Sequence, residues 1–340
     1  MLKRFLTSCL LVLSVVSLSA SGTMGYTFLE IPVSAYESSH GGCHVAPESD
    51  GVNTVFVNPS LLRDSTSRCL SMSYSSYLSE ANIGSVAYGH SYGKHHFALG
   101  ARLVDYGTFD GYDEYGRSTG SFSAKDLSFS VGYARALYPF LSVGLSLKPI
   151  FSNYESYHSF AMAVDVGGWL HLDDYHFSTG LVFSNVGRQI DTYASDRESL
   201  PFNAVLTFSK GFSHAPFRLN VTYHHLTDWD LDYRDDVRRS TLVGYETGTD
   251  YSFGEMFFRH VVIGADFVPL NGRLRITASY NRRRADDLEL EDSKSLAGFS
   301  FGAGLSLKKV DASFAMSQYQ TGVWQYQFTL GFHLAALFSK

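Results

Sequence analysis

Apolar and polar side chains alternate with a period of two along much of the chain, most regularly near its end. Over residues 324–336 every even-numbered position is apolar, whereas the positions between them are Gln, Thr, Gly, His or Ala. Successive side chains of a β-strand point to opposite faces. The pattern therefore predicts a strand with one apolar face and one small, polar face. Residues 127–134 and 141–148 repeat it.

The length of these segments separates two kinds of fold. Many of them run for 11–15 residues, whereas a soluble strand usually has about five or six and a tilted transmembrane strand needs about 9–11. Their polar faces carry Ser, Gly, Thr and His rather than Lys and Glu, as is typical of side chains that face a confined lumen. A transmembrane barrel is therefore favoured over a soluble sandwich.

Fourteen strands are predicted, joined by connections that largely alternate in length. The strands lie near residues 69–78, 82–91, 94–106, 124–136, 139–153, 157–172, 174–186, 202–212, 215–228, 257–268, 272–284, 295–307, 310–319 and 323–336, and the longer connections are 107–123, 187–201, 229–256 and 285–294. Outer-membrane barrels have an even strand number, short periplasmic turns and long extracellular loops. The sequence thus predicts an all-β, 14-stranded antiparallel transmembrane barrel over residues 67–340, with both termini periplasmic.

Two local features depart from regular strands. Proline cannot donate a ladder hydrogen bond, so Pro149 predicts a bulge or kink within the fifth strand. Arg282 and Arg284 continue the outward register of the eleventh strand beyond its apolar residues. There we expect them to meet lipid phosphates.

The chain begins with a pattern typical of export. Lys3 and Arg4 precede a short apolar stretch and then small residues, which predicts a signal peptide over residues 1–25. Residues 26–66 do not alternate cleanly and form either a periplasmic tail or a plug in the lumen. Their many apolar side chains favour a plug. Cys43 and Cys69 follow, and the sequence leaves open whether they form a disulfide.

Composition adds little chemistry to this prediction. Charged residues make up 18% of the chain and its net charge is −6, so nothing indicates a nucleic-acid partner. The histidine pairs 95–96 and 224–225 are adjacent, and within strands their members face opposite sides. We predict no catalytic, cofactor or metal site, and no enzymatic activity. The aromatic residues, 22 Tyr and 26 Phe, suit interfacial girdles.

Candidate functional residues fall into two sets. The first consists of charges on the inward register: Arg102, Lys148, Asp165, Arg218, Asp266, Arg273 and Arg275. They either line a selective pore or pair inside a filled lumen, and we favour pairing because a buried ion needs a partner. The second lies in the 229–256 loop, a candidate partner-binding surface: Asp230, Asp232, Arg234, Asp235, Asp236, Arg238 and Arg239. Its acidic residues, like those of 285–294, show no regular calcium-ligand spacing.

Several runs of sequence resemble known barrels. Residues 57–62 (VNPSLL), with Asn58 and Pro59, resemble the N-terminal hatch of FadL-like barrels, which have fourteen strands. Residues 27–39, 119–135, 214–231 and 288–305 resemble the PorQ branch, from the type IX secretion system. The chain departs from the family's Ala-Leu-Gly-Gly pattern at 39–43, where it reads SHGGC.

The resemblance implies a function that the pattern alone does not. PorQ-like proteins anchor the surface protein PorZ within the complex that cleaves cargo and attaches it to lipopolysaccharide. The chain would then be a monomeric, non-enzymatic barrel within a hetero-complex in the outer membrane of a Gram-negative bacterium. The alternative is a FadL-like channel for hydrophobic compounds with a lateral opening kinked at Pro149. An outer-membrane lipid hydrolase is a third hypothesis, and it requires a Ser and a His on adjacent strands facing the same side.

Overall fold

The chain folds into a closed barrel of fourteen antiparallel strands. The structure is a computed structural model that describes residues 25–43, 51–77, 81–193, 197–229, 231, 251–288, 296–320 and 323–338, without the side chains of residues 77, 319 and 320. The strands are β1 Cys69–Tyr77, β2 Ala81–Tyr92, β3 His95–Tyr112, β4 Ser118–Tyr138, β5 Leu141–Tyr154, β6 Tyr157–Leu172, β7 Phe177–Asp191, β8 Asn203–Phe212, β9 Ala215–Tyr223, β10 Val261–Phe267, β11 Leu274–Asn281, β12 Phe299–Ser306, β13 Val310–Gln320 and β14 Val323–His333. Each strand pairs with its neighbours in sequence, and β1 pairs with β14 to close the ladder.

The wall has its apolar side chains outside and its small, polar side chains inside. In β5, Ser142, Ser146 and Ser152 are buried in the lumen, whereas Leu145 and Leu147 are exposed on the outer face. A soluble protein would show the opposite arrangement. The predicted alternation is therefore confirmed, and the apolar outer face makes this protein an outer-membrane β-barrel.

The connections define two rims. The start of β1 and the end of β14 lie at the rim that carries the turns after β2, β4, β6, β8, β10 and β12, which we call the inner rim. The opposite, outer rim carries the described residues of 224–260 and 282–298. Because short turns of such barrels are periplasmic, the outer rim faces the cell exterior.

Short helices lie at the rims and in the lumen. They are α1 Ala35–Ser39, α2 Thr54–Val57, α3 Phe253–Arg259, α4 Arg282–Asp287 and α5 Leu334–Phe338. Among the described residues, no helix has the length and apolar character needed to cross a membrane.

Several predicted boundaries are wrong. β3 and β4 continue through the predicted 107–123 loop as a hairpin, paired as far as Tyr112 and Ser118. β7 likewise runs on to Asp191 within the predicted 187–201 loop. Conversely, the last strand stops at His333, because residues from Leu334 turn into α5.

The prediction that Arg282 and Arg284 extend strand eleven is also wrong. The side chain of Asn281 accepts a hydrogen bond from the Arg284 amide and caps α4, so β11 ends there. Arg284 consequently points into the lumen, where it donates to the Gly41 carbonyl at 2.8 Å. Arg282 pairs with Asp286 on α4 at 2.9 Å.

Pro149 does not produce the predicted bulge. The ladder between β4 and β5 keeps one register across it, with Ser128 opposite Ile150 and Val131 opposite Leu147. On the other side Pro149 pairs with Met162 in an unbroken ladder to β6. The missing amide thus interrupts pairing with one neighbour without inserting a residue. The register shifts instead between β6 and β7, beside Asn185, whose φ is 58°.

The described parts of residues 26–66 lie inside the barrel, and we call them the hatch. Four of its large side chains, Phe28, Tyr36, Leu61 and Leu62, are almost fully buried. The hatch begins near the outer rim, where the Gly25 amide donates to the Ser199 carbonyl at 3.0 Å. It ends at the inner rim, where it leads into β1. The start of the described chain therefore lies toward the exterior, not at the expected periplasmic side.

Inward glycines make room for the hatch. A Cβ on Gly144 would lie 2.3 Å from the Ser60 nitrogen, and one on Gly302 would lie 2.4 Å from the Ser39 Cβ. Gly100 and Gly132 would meet Phe56 and Val55 in the same way. The small residues of the inward face thus accommodate the hatch.

We expect Gly144→Ala to displace the hatch, because the new methyl group would collide with the backbone of Pro59 and Ser60. Overpacking of this kind costs about 1–3 kcal/mol. The measurement is the temperature at which the folded barrel loses its faster gel mobility, together with trypsin cleavage of the hatch. Gly84→Ala is the control, because its Cβ would meet nothing within 4 Å. Equal stability of the two variants would contradict the close seating.

Candidate functional site: the hatch and its two cavities

The hatch lies between two cavities of the lumen. The outer cavity, of about 390 Å³, opens toward the outer rim. Its lining includes Glu30, Glu37, Cys43, Lys148, Asn185, Asn203, Val205, His224, His225, Arg283 and Arg284. The inner cavity, of about 920 Å³, lies at the inner rim and is lined by Arg63, His96, Trp169, His171, His176 and Arg218, among others. Both cavities therefore mix apolar and ionisable groups.

A buried ion pair forms part of the wall of the outer cavity. The Lys148 ammonium lies 2.5 Å from a carboxylate oxygen of Asp165, and both side chains are buried. Lys148 also donates to Asn185 Oδ1 at 3.3 Å and to the Phe56 carbonyl at 3.5 Å, so it contacts both the wall and the hatch. The Asn185 amide donates to Asp165 at 2.9 Å. These contacts offset part of the cost of burying two charges.

Arg102 holds the first part of the hatch. Its guanidinium donates to the Phe28 carbonyl at 2.9 Å and to the Ile31 carbonyl. Phe28 packs against Val104 and Ile150 of the wall. Arg102 thus fixes the hatch by donating hydrogen bonds to its backbone carbonyls, and it does not line an open pore.

A second group of contacts holds α1. His40 Nε2 lies 3.0 Å from Asp266, which also accepts hydrogen bonds from Asn220 at 2.9 Å and Thr277 at 2.6 Å. Tyr36 stacks on His40 with ring centroids 4.3 Å apart, and the Arg275 guanidinium lies 4.1 Å from the Tyr36 ring centre. Asp266 and Arg275 therefore meet the hatch, as Lys148 and Arg102 do.

The hatch motif turns the chain inside the lumen, against β5 and β6. Asn58 Oδ1 accepts hydrogen bonds from the Ser60 amide at 3.1 Å and its hydroxyl at 2.6 Å. Pro59 begins a 3₁₀ turn, Pro59–Leu61. A Cβ on Gly167 would lie 2.1 Å from Asn58 Oδ1, so this turn sits directly against the wall.

The remaining candidate residues do not join these groups. Arg218 is half-buried and lines the inner cavity. Arg273 is exposed in the turn before β11, because the strand begins at Leu274. The prediction that Arg273 faces the lumen is therefore wrong. The candidate loop residues lie outside the described part of the chain: Asp230, Asp232, Arg234, Asp235, Asp236, Arg238 and Arg239.

The top of the outer cavity carries a histidine cluster that periodicity did not predict. His224 Nδ1 lies 2.6 Å from His225 Nδ1, and His225 Nε2 lies 3.4 Å from Glu30. Burial lowers the pKa of His224 well below its usual value, and the charges of His225 and Arg283 add to the effect. The sequence placed both residues within strand nine and on opposite faces, which is wrong: β9 ends at Tyr223, so strand alternation does not separate the two rings.

Cys43 and Cys69 are free thiols. Cys43 lines the outer cavity, and burial raises its pKa to about 12, although Arg284 acts in the opposite direction. Cys69 lies at the inner rim, where its sulfur is 3.2 Å from His333 Nδ1. The disulfide that the sequence left open is therefore not formed, since Cys43 lines the outer cavity and Cys69 lies at the inner rim.

Within the described ranges, no cluster of three or more His, Cys, Asp or Glu side chains has the arrangement of a metal site. Asp286 and Asp287, from the second acidic region, are instead bound by Arg259 at 3.3 Å and 2.6 Å. The other acidic residues of 289–292 lie outside the described chain.

Comparison with known proteins defines the class of barrel. No protein-family model and no curated protein matches the chain. Among solved structures, the monoaromatic hydrocarbon channel CymD matches with a TM-score of 0.52 and 12% identity, over 91% of this chain and 97% of that one. The Pseudomonas putida toluene transporter TodX matches with a TM-score of 0.50 and 11% identity, over 89% and 98%. The chain thus has the fold of the FadL-like outer-membrane barrels, and its membership of the PorQ branch stays a prediction.

We expect Lys148→Met to destabilise the barrel by about 3–5 kcal/mol, because it leaves Asp165 as an unpaired buried charge. The double variant with Asp165→Leu removes both charges and should recover most of the loss. Unfolding in urea, followed by gel mobility and tryptophan fluorescence, measures both. A double variant as unstable as the single one would show that the pair itself, rather than the orphaned charge, determines stability.

We expect His224 to make stability depend on pH. Its folded-state pKa is lowered, so the neutral form is favoured in the fold, and stability is lost as pH falls below the unfolded value of about 6.5. The slope is about 1.4 kcal/mol per pH unit for one such group. Thermal transitions at pH 7 and pH 5 should lie closer together in His224→Gln than in wild type. His214→Gln, in an exposed turn, is the control; a difference unchanged by His224→Gln would refute the assignment.

Proposed function

We propose that the protein admits small hydrophobic compounds through the outer cavity and releases them sideways into the membrane. Two observations support this function. The fold is shared with structures described as a monoaromatic hydrocarbon channel and a toluene transporter. The outer cavity also reaches the point where the β7–β8 ladder ends, and this observation carries the proposal furthest.

That point lies between β7 and β8. Their ladder ends with Ser184 opposite Asn203, although β7 continues to Asp191 and stays paired with β6. Ser184, Asn185 and Asn203 all line the outer cavity. The cavity therefore meets the wall where β7 loses its ladder to β8. Beyond this point the described hydrogen bonds to the segment before β8 involve the side chains of Asn185 and Gln189, at the Pro201 carbonyl and the Glu198 amide. We place the lateral opening here, instead of at Pro149.

A sideways route suits the arrangement of the hatch. The hatch separates the two cavities, so a straight path to the inner rim requires it to move. A compound that leaves between β7 and β8 enters the hydrocarbon core directly. That transfer is favourable for an apolar solute.

We expect Val205→Trp to reduce uptake strongly, roughly tenfold or more, because the larger side chain fills the outer cavity that Val205 lines. The measurement is uptake of radiolabelled toluene by Gram-negative cells that express each variant at equal level. Leu206→Trp, one residue along β8 and on the opposite face, is the matched control. Unchanged uptake by a folded Val205→Trp barrel would reject the route.

A surface anchor for type IX secretion is the second candidate. The observation that favours it is the secured hatch, since a filled lumen does not hinder an anchor. The hairpin of β3 and β4 also rises above its neighbours at the outer rim: β2 pairs with β3 only as far as Asp105, whereas β3 and β4 stay paired to Tyr112. No described contact identifies a partner.

Under this second candidate, removal of residues 232–252 should abolish co-purification of a surface protein without affecting barrel assembly. Affinity purification from the native outer membrane, followed by mass spectrometry, measures this. A shortened β3–β4 hairpin lacking residues 109–120 tests the other raised element separately. Retention of the same partner by both variants would count against anchoring through the outer rim.

A further inference from the structure

Helix α3 places a row of exposed aromatic rings at the outer rim. Its buried side carries Met256 and Arg259, whereas Phe253, Phe257 and Phe258 are exposed. Phe253 is 76% exposed, although Trp229 stacks on it with ring centroids 4.9 Å apart. Exposure of this aromatic face to water would be energetically unfavourable, so the face calls for an apolar environment.

The aromatic face of α3 is continuous with the lipid-facing wall. Phe257 lies against Tyr223 at the outward end of β9, with ring centroids 5.6 Å apart. Phe258 shares a groove with Val261 and Ile263 of β10 and Tyr280 of β11. Ile263 is exposed on the outer face of the barrel. The helix therefore extends the apolar band upward, to the level at which lipid headgroups begin.

The groove between α3 and the wall has about 400 Å³ of space and two charged residues at its edge, Glu255 and Arg282. The Glu255 carboxylate accepts a hydrogen bond from the Ser252 amide at 2.8 Å and so caps the N-terminus of α3. Arg282 is half-exposed and binds Asp286 through its Nε at 2.9 Å. Asp286 is also bound by the buried Arg259, whereas Arg282 is half-exposed at the edge of the groove.

We propose that this groove binds one acyl chain of lipopolysaccharide, the phosphorylated lipid of the outer leaflet, with a phosphate at Arg282. An acyl chain gains little from apolar protein over apolar lipid, so burial alone would not select a particular lipid. A guanidinium at the headgroup level adds a charge-assisted contact that neutral lipids lack. Arg282 therefore decides which lipid is held.

The test uses the full-length barrel in neutral detergent, titrated with purified lipopolysaccharide and followed by native mass spectrometry. We expect one tightly held molecule per barrel. Arg282→Gln should weaken binding roughly tenfold, as expected for loss of one charge-assisted hydrogen bond. Arg282→Lys should weaken it less. Ile263→Trp, which fills the groove with another apolar side chain, should also weaken it.

The controls separate this site from general adhesion. Arg117→Gln removes an exposed arginine at the tip of the β3–β4 hairpin and should bind like wild type. Dephosphorylated lipopolysaccharide should bind wild type about as weakly as the intact lipid binds Arg282→Gln. Wild-type affinity in both Arg282→Gln and Ile263→Trp would overturn the proposal. So would equal binding of the dephosphorylated lipid, or a surface protein that covers α3 and excludes the lipid.

Discussion

Backbone hydrogen bonding in a medium without water is the constraint on which this structure depends. An unpaired amide or carbonyl in hydrocarbon costs several kcal/mol, so a membrane-crossing sheet has to close on itself. The pairing of β1 with β14 meets that requirement. It also places apolar side chains outside and leaves a lumen bounded by fourteen strands, wider than the side chains of the wall can fill. The hatch occupies that space, and the inward glycines let its backbone approach.

Filling the lumen with a polypeptide creates a second electrostatic problem. The hatch brings its own carbonyls and polar side chains into a volume with little solvent, and each needs a partner. The inward charges supply many of them: Arg102 takes carbonyls of the hatch, and Asp266 holds His40. Lys148 reaches both Asp165 and the Phe56 carbonyl. The same charges therefore hold the hatch in place, and the hatch separates the two cavities.

The two candidate functions draw on different parts of this arrangement. Transport needs the outer cavity and the place where β7 loses its pairing with β8, both of which are properties of the interior and wall. Anchoring needs only what rises above the outer rim, and a secured hatch is compatible with it. The aromatic face of α3 serves either function, because it concerns how the outer rim sits in the membrane.

The sequence alone determined the wall, because a period of two is a local property that survives in every strand interior. The strand ends could not be predicted from this alternation. Asn281 caps α4 and ends β11, and pairing with β4 extends β3 into a predicted loop. Those outcomes depend on caps and partner strands rather than on alternation. The contacts of the candidate site could not be predicted from the sequence for a similar reason. His40 and Asp266 lie 226 positions apart, and the rim histidines follow a strand end. Only closure of the barrel around the hatch brings such residues together, since no spacing along the chain encodes which inward side chain meets which hatch residue.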